Sequence, residues 1–192
     1  MHKEDNNTIA KKCIGLINII ATIYFGRKEM NIILIGMPGA GKSTLGVLLA
    51  KAMNYRFVDT DLMIQERTGE FLYKTIEGRG IDEFLTIEED VLCGIDFDRT
   101  IIATGGSAVY GEKAMNHLKN TGKIIYIKLS CDEIKRRVKN ITTRGIVMKK
   151  GKTLEDVFAE RAPLYEKYAD ITVECDGISI EESVARIVNM IS

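Results

Sequence analysis

The stretch Gly36 to Thr44 reads GMPGAGKST and fits G-x-x-x-x-G-K-[ST] through Gly36, Gly41, Lys42 and Ser43. Glycines let backbone N–H groups wrap closely around phosphate oxygens. A helix that follows such a loop points its positive end at the same oxygens. In this pattern Lys42 would reach the β- and γ-phosphates, and the Ser43 hydroxyl would ligate Mg²⁺. The bland alternative is a glycine-rich turn that only joins a strand to a helix. Here the motif follows an apolar strand and opens KSTLGVLLAKAM, the context the phosphate loop needs. Its candidate ATP contacts are Gly39, Ala40, Gly41, Lys42, Ser43 and Thr44. A second signal is YRFVDTDLMIQERTG, which sets Asp59 and Asp61 just past a strand end. Ligands of open α/β sheets bind there, although helix capping would explain either carboxylate alone.

Those groups need a scaffold, and the chain from Asn31 onward alternates apolar β-rich runs with helical patterns. Strands are expected at 31–36, 56–59, 100–104, 123–129 and 171–174. Helices are expected at 42–53, near 61–67, and at 80–93, 111–120, 131–139, 153–168 and 180–191. IILIG and KIIYIKL are almost continuously apolar, as in strands covered on both faces. The alternation predicts an α/β architecture, a five-stranded parallel sheet flanked by helices in a P-loop NTPase fold. NITTRGIVMKKGK, 140–152, breaks the rhythm with polar, basic and glycine residues, and its length marks it as a mobile lid.

The 192 residues are 45% hydrophobic and 28% charged, which suits one domain. Lys plus Arg and Asp plus Glu each number 27, so no basic field argues for nucleic acid or a membrane surface. Cys13, Cys93, Cys131 and Cys175 form no C-x-x-C pair, which fits reduced thiols in a cytoplasmic protein. His2 and His117 are read as surface residues. Residues 1–29 form an amino-terminal extension. Its apolar run Cys13 to Phe25 is too short to span a bilayer, and no small-x-small cleavage site follows it. Met30 directly precedes the first strand, so synthesis starting there is expected, with 30–192 as the single kinase domain.

No N-K-x-D element points to a regulatory GTPase, and the third strand ends in Thr-Gly-Gly rather than in a magnesium-binding Asp. With GMPGAGKST, FVDTD…RTG, IIATGGSAV and RAPLYEKYAD in this order, the chain resembles the shikimate kinase family over essentially all of 31–190. The resemblance implies an ATP-dependent kinase of the shikimate hydroxyl, monomeric, with Mg²⁺ as cofactor. It implies that Asp59 holds Mg²⁺ through water and that Asp61 orients or deprotonates the acceptor hydroxyl. Gly105 and Gly106 would offer backbone amides, and Arg137 would lie along the adenine. Arg144 would close over the transferring phosphoryl, and Arg161 would pair with the acceptor's carboxylate. Each role suits phosphoryl transfer, which needs positioning and charge neutralisation.

The chain departs from the family pattern around the acceptor. In GIDEFLTIEED, Gly80, Phe84 and Glu88 match, but Ile81 stands where the family has Glu and Leu85 where it has Arg. Ser107 replaces the third glycine of a Gly-Gly-Gly turn, and the lid reads Arg144-Gly145-Ile146-Val147. If Leu85 faces the acceptor, a carboxylate grip is missing and Glu88 has lost its helix partner. The acceptor could then supply a cation, with an amino acid such as homoserine giving its ammonium to Glu88. Alternatively Leu85 packs in the core, Glu88 pairs with Lys74 or Arg79, and shikimate binds through Arg161. A third reading is a nucleotide-binding regulatory module without turnover.

Overall fold

The computed structural model describes residues 30–138 and 145–191. The amino-terminal extension and Arg144 lie outside the described residues, as does the lid's first part.

Five strands form in the order of the apolar runs: β1 Asn31–Ile35, β2 Arg56–Asp59, β3 Thr100–Ala103, β4 Gly122–Lys128 and β5 Ile171–Glu174. They pair in parallel as β2-β3-β1-β4-β5. The central strand β1 is buried at every position, as its unbroken NIILI run requires when helices cover both faces. β1 sends its chain toward the β2 edge, while β4 sends its chain toward β5. Chains diverging from neighbouring strands leave a crevice at the carboxyl ends of the sheet.

Eight helices are described: α1 Lys42–Met53, α2 Thr60–Thr68, α3 Leu72–Arg79, α4 Ile81–Cys93, α5 Glu112–Thr121, α6 Cys131–Arg137, α7 Leu154–Tyr168 and α8 Ile180–Ile191. The expected helices form with ends shifted by one or two residues. α3 was not expected: LYKTIEGR dilutes its helical signal with Thr75 and Gly78, and no side chain caps it. Thr153 starts α7 through a reciprocal capping box with Asp156. That box ends the expected lid on a firm helix terminus. His117 is half-buried rather than a surface residue, with Nε2 2.7 Å from the Ile95 carbonyl oxygen.

At the opposite end from the crevice, one buried amide ties three segments together. Asn31 Nδ2 donates to the Phe97 carbonyl at 2.6 Å and to the Thr121 carbonyl at 3.3 Å. Its Oδ1 accepts the Thr100 N–H at 3.1 Å. Asn31 is fully buried, and its bond from the Thr100 N–H is buried with it, so water cannot replace that one. Asn31→Ala would orphan one N–H and two carbonyls. Urea unfolding should show a loss of about 1–3 kcal/mol, the cost of the buried Thr100 N–H, with the part-buried carbonyls adding less. A loss under about 0.5 kcal/mol would show that this tie carries no weight.

Candidate active site

The phosphate loop leaves β1 at Gly36, whose φ of 144° only glycine adopts without strain. A Cβ there would stand 2.7 Å from the Ile127 carbonyl oxygen, so the loop also needs glycine to pass β4. Helix α1 begins with neither a side-chain cap nor an acidic residue in its first turn. Its leading N–H groups are therefore available to an anion, as phosphate binding requires. Ser43 and Thr44 are exposed at this helix start. Lys42 is buried, and its ammonium donates to the carbonyls of Gly36 at 2.8 Å and Met37 at 3.0 Å. Burial lowers its pKa to about 8, against the pull of Asp61 and Asp59.

Gly39, Gly41, Lys42, Ser43, Thr44 and Arg137 line one side of a cavity of about 560 Å³, while Asp61, Gly105, Gly106 and Arg161 line the other. Ala40 lies behind the loop, where its N–H turns back onto the Met37 carbonyl at 3.1 Å. It lines a smaller cleft with Arg137, Cys175 and Ile178. Arg137 is fixed there by Glu133, at 2.6 Å from Nε, and by the Ala40 carbonyl, at 3.5 Å from Nη1.

Asp59 does cap a helix: its Oδ1 accepts the Asp61 N–H at 3.0 Å at the start of α2. That cap aims Asp61 into the cavity. Burial, then the neighbouring Asp59, raise the Asp61 carboxyl to about 6, opposed by Lys42. Among the described residues no cluster of His, Cys, Asp and Glu could hold a metal by itself. A Mg²⁺ ion at this loop would instead use Ser43, Asp59 through water, and phosphate oxygens. Such a sparse, water-rich shell is usual for Mg²⁺.

Arg161 is 1% exposed, so the ordinary reading of a single helix arginine as a surface residue fails. Its Nε donates to the Tyr110 hydroxyl at 3.1 Å, and Nη2 donates to the Val147 carbonyl. Its guanidinium carbon stands 5.0 Å from the centre of the Tyr110 ring. One turn on, the Tyr165 hydroxyl donates to the Gly106 carbonyl at 2.6 Å. The Thr60 hydroxyl accepts the Gly105 N–H at 3.2 Å. Tyr165 could have been found from its i,i+4 spacing to Arg161 in RAPLYEKYAD. No sequence signal points to Tyr110.

Two acceptor-side expectations divide. Leu85 does not line this cavity. It packs beside Ile64, Phe84, Val91 and Val147 and lines a side cavity with Tyr110, Met148 and Lys152. A leucine turned to apolar neighbours is core packing, so the missing arginine leaves no gap in the wall. Glu88, in contrast, lies within the buried stripe of α4 with Phe84, Val91 and Leu92. It does not pair with Arg79, which is bound to Glu83 at 3.4 Å. Among the described residues its Oε1 has no hydrogen-bond partner. Burial raises the Glu88 carboxyl to about 7, while a hydrogen bond with the Ser107 side chain pulls the other way.

These shifts predict the pH behaviour. Asp61 must be ionised to accept a proton, so kcat/KM for the acceptor should fall as pH drops through about 6. Lys42 must be charged to receive phosphates, so kcat/KM for ATP should fall above about 8. A flat profile between pH 5 and 9 would contradict both assignments. Glu88 has a folded pKa above its ordinary value, so its ionisation cost accrues as pH rises through about 7. Glu88→Gln should therefore stabilise the ligand-free protein at pH 8, by up to about 3 kcal/mol, and much less at pH 5. Equal Tm values for the two proteins at pH 8 would mean that Glu88 is paired.

Comparison with known proteins agrees with this geometry. Residues 38–192 match the family described as shikimate kinase. The shikimate kinase of Francisella tularensis subsp. novicida is 34% identical over 164 residues, covering 83% of this chain and 93% of the relative. Shikimate kinase from Acinetobacter baumannii, solved in complex with shikimate, superposes with a TM-score of 0.78 at 28% identity. That match covers 85% of this chain and 93% of the other. Shikimate kinase from Aquifex aeolicus gives a TM-score of 0.72 at 31% identity, over 84% of this chain and 96% of that one. The chain belongs to the shikimate kinase family.

Proposed function

We propose that this protein transfers the γ-phosphoryl group of ATP to a hydroxyl of shikimate, a step of aromatic amino acid biosynthesis, in the cytoplasm and as a monomer. The observation that carries the reading is one cavity bordered by the phosphate loop with Lys42 on one side and by Asp61 and Arg161 on the other. ATP phosphates would lie on the uncapped start of α1, with Gly39, Gly41, Lys42, Ser43 and Thr44 around them. The adenine would extend toward Arg137 and the cleft behind the loop. Shikimate's carboxylate would meet the Arg161 guanidinium, whose fork suits two carboxylate oxygens. Gly105 and Gly106 would border its ring.

Transfer forms a bond between the acceptor oxygen and the γ-phosphorus and breaks the bond to the bridging oxygen of ADP. The hydroxyl proton passes to Asp61 and then to solvent. Lys42 neutralises charge on the departing phosphates once they draw its ammonium from the Gly36 and Met37 carbonyls. Ser43 and, through water, Asp59 would hold Mg²⁺, which would supply charge neutralisation to the phosphates. The Val147 carbonyl must release Arg161 Nη2 if the acceptor is to use both arms of the fork. Among the described residues no helix is long and apolar enough to cross a membrane.

Coupled ADP release with ATP, Mg²⁺ and shikimate tests the reading. Lys42→Ala should abolish that release while leaving the circular dichroism spectrum unchanged. Normal turnover by this variant would remove the phosphate role of Lys42. Nucleotide binding without acceptor-dependent ADP release in the parent chain would instead favour a regulatory module.

A further inference from the structure

The acceptor side of the cavity depends on the orientation of one guanidinium. Position 85, where the family pattern has an arginine, is leucine and lines the side cavity, not the acceptor cavity. Among the described residues, Arg137 and Arg161 are the arginines that border the acceptor cavity. Arg137 stands on the phosphate side, bound to Glu133 and the Ala40 carbonyl. Arg161 is left to take the acceptor's carboxylate, so whatever holds Arg161 also tunes that grip.

Three groups hold it. The Val147 carbonyl accepts from Nη2, and the Tyr165 hydroxyl, which donates to the Gly106 carbonyl, also meets the guanidinium. The third is Tyr110, at the end of the one-turn segment Ala108–Tyr110 and 51 residues before Arg161. It makes two contacts at once. Its hydroxyl accepts the Nε–H at 3.1 Å, and its ring centre lies 5.0 Å from the guanidinium carbon, within cation–π range. Chemistry fixes the direction of the hydroxyl. Arginine only donates, and an ionised carboxylate only accepts. Glu160, next to Arg161 on α7, hydrogen-bonds the Tyr110 hydroxyl and is itself bound by Lys152, which keeps its carboxyl below the ordinary range. The phenolic hydrogen therefore goes to Glu160, and the oxygen's lone pairs are left for Nε–H. A hydroxyl that donates to an anion is also a better acceptor. Tyr110 is half-buried and borders the side cavity with Leu85, Lys152 and Glu160, so it reaches the acceptor only through Arg161.

We propose that Tyr110 is a positioning residue for the acceptor: by holding Nε and one face of the guanidinium, it presents the terminal nitrogens of Arg161 to the acceptor's carboxylate. The inference rests on the phosphotransfer reading and names the residue that tunes its acceptor grip. Without the hydroxyl, the Nε–H loses this acceptor, and the guanidinium turns to find another. The carboxylate lies apart from the hydroxyl that reacts at Asp61. Its weaker grip is then felt alike in the ground state and the transition state, so it appears in KM and not in kcat.

The test is steady-state ADP release by the full chain with ATP, Mg²⁺ and shikimate, with the methyl ester of shikimate as a competitor that lacks the carboxylate charge. Tyr110→Phe should raise the KM for shikimate about tenfold, as expected when a charged group loses one hydrogen bond. Its kcat and its KM for ATP should stay within about twofold of the parent's, and inhibition by the ester should not change. Glu160→Gln keeps an acceptor for the phenolic hydrogen but removes the charge, and should raise the same KM by less. An unchanged KM for shikimate in Tyr110→Phe would overturn the inference and leave the phosphotransfer reading standing. So would equal weakening of shikimate and its ester, the mark of a site loosened as a whole. A parent chain that releases no ADP with shikimate would overturn both.

Discussion

Lys42, Asp61 and Arg161 line one cavity, Glu88 lies behind its wall residue Gly105, and no ion pair joins any two of the four. Opposite charges in a poorly solvated space collapse onto one another unless other bonds hold them apart. Here neutral groups, three backbone carbonyls and one tyrosine hydroxyl, do the holding. The loop carbonyls of Gly36 and Met37 take Lys42, and the Tyr110 hydroxyl and Val147 carbonyl take Arg161. The separation leaves room for a molecule that carries its own charges. Burial then shows in the titration, with both carboxyls raised and the lysine lowered. Such opposed shifts within one cleft are what acid–base chemistry near neutral pH requires.

The scaffold serves that separation. The Gly105–Ser107 turn lies where three elements meet. Thr60 at the start of α2 accepts the Gly105 N–H, and Tyr165 of α7 donates to the Gly106 carbonyl. Glu88 of α4 presses against the missing side chain of Gly105. Tyr165 also stacks on Tyr126 of β4 at 5.0 Å. A change at this turn would reach both carboxylates and, through α7, the guanidinium. The phosphate side needs less support because one strand, one loop and one helix hold nearly all of it.

The departures from the family pattern form a connected set in space. Leu85 turns into a side cavity of mixed lining, and Val147 borders both that cavity and the acceptor cavity. Ser107, where the family pattern has glycine, brings a hydroxyl to Glu88. One neutral donor leaves the second oxygen and the charge unanswered. This is the physical difference between the chain's phosphate end and its acceptor end.

The amino-acid sequence by itself determined the phosphate loop, the Asp59–Asp61 pair, the alternating α/β order and the family. Each of these is local: the groups lie within a few residues of one another, or repeat with the period of a strand or helix. Legible too was the choice of Arg161, although its single-residue signal was no different from that of a surface arginine. Only the tertiary structure decided that Leu85 faces apolar neighbours, that Glu88 meets Asp61 across Gly105, and that Tyr110 and Val147 hold Arg161. Helix α4 carries Leu85 and Glu88 on adjoining turns, and sequence spacing places both near one face. Which face of α4 turns to the cavity depends on how the helix packs against α2, α3 and Val147, and the residue that lines it is Phe84. Burial and pairing depend on contacts between residues far apart in the chain, so the local sequence could name these groups but not say which would be left without a partner.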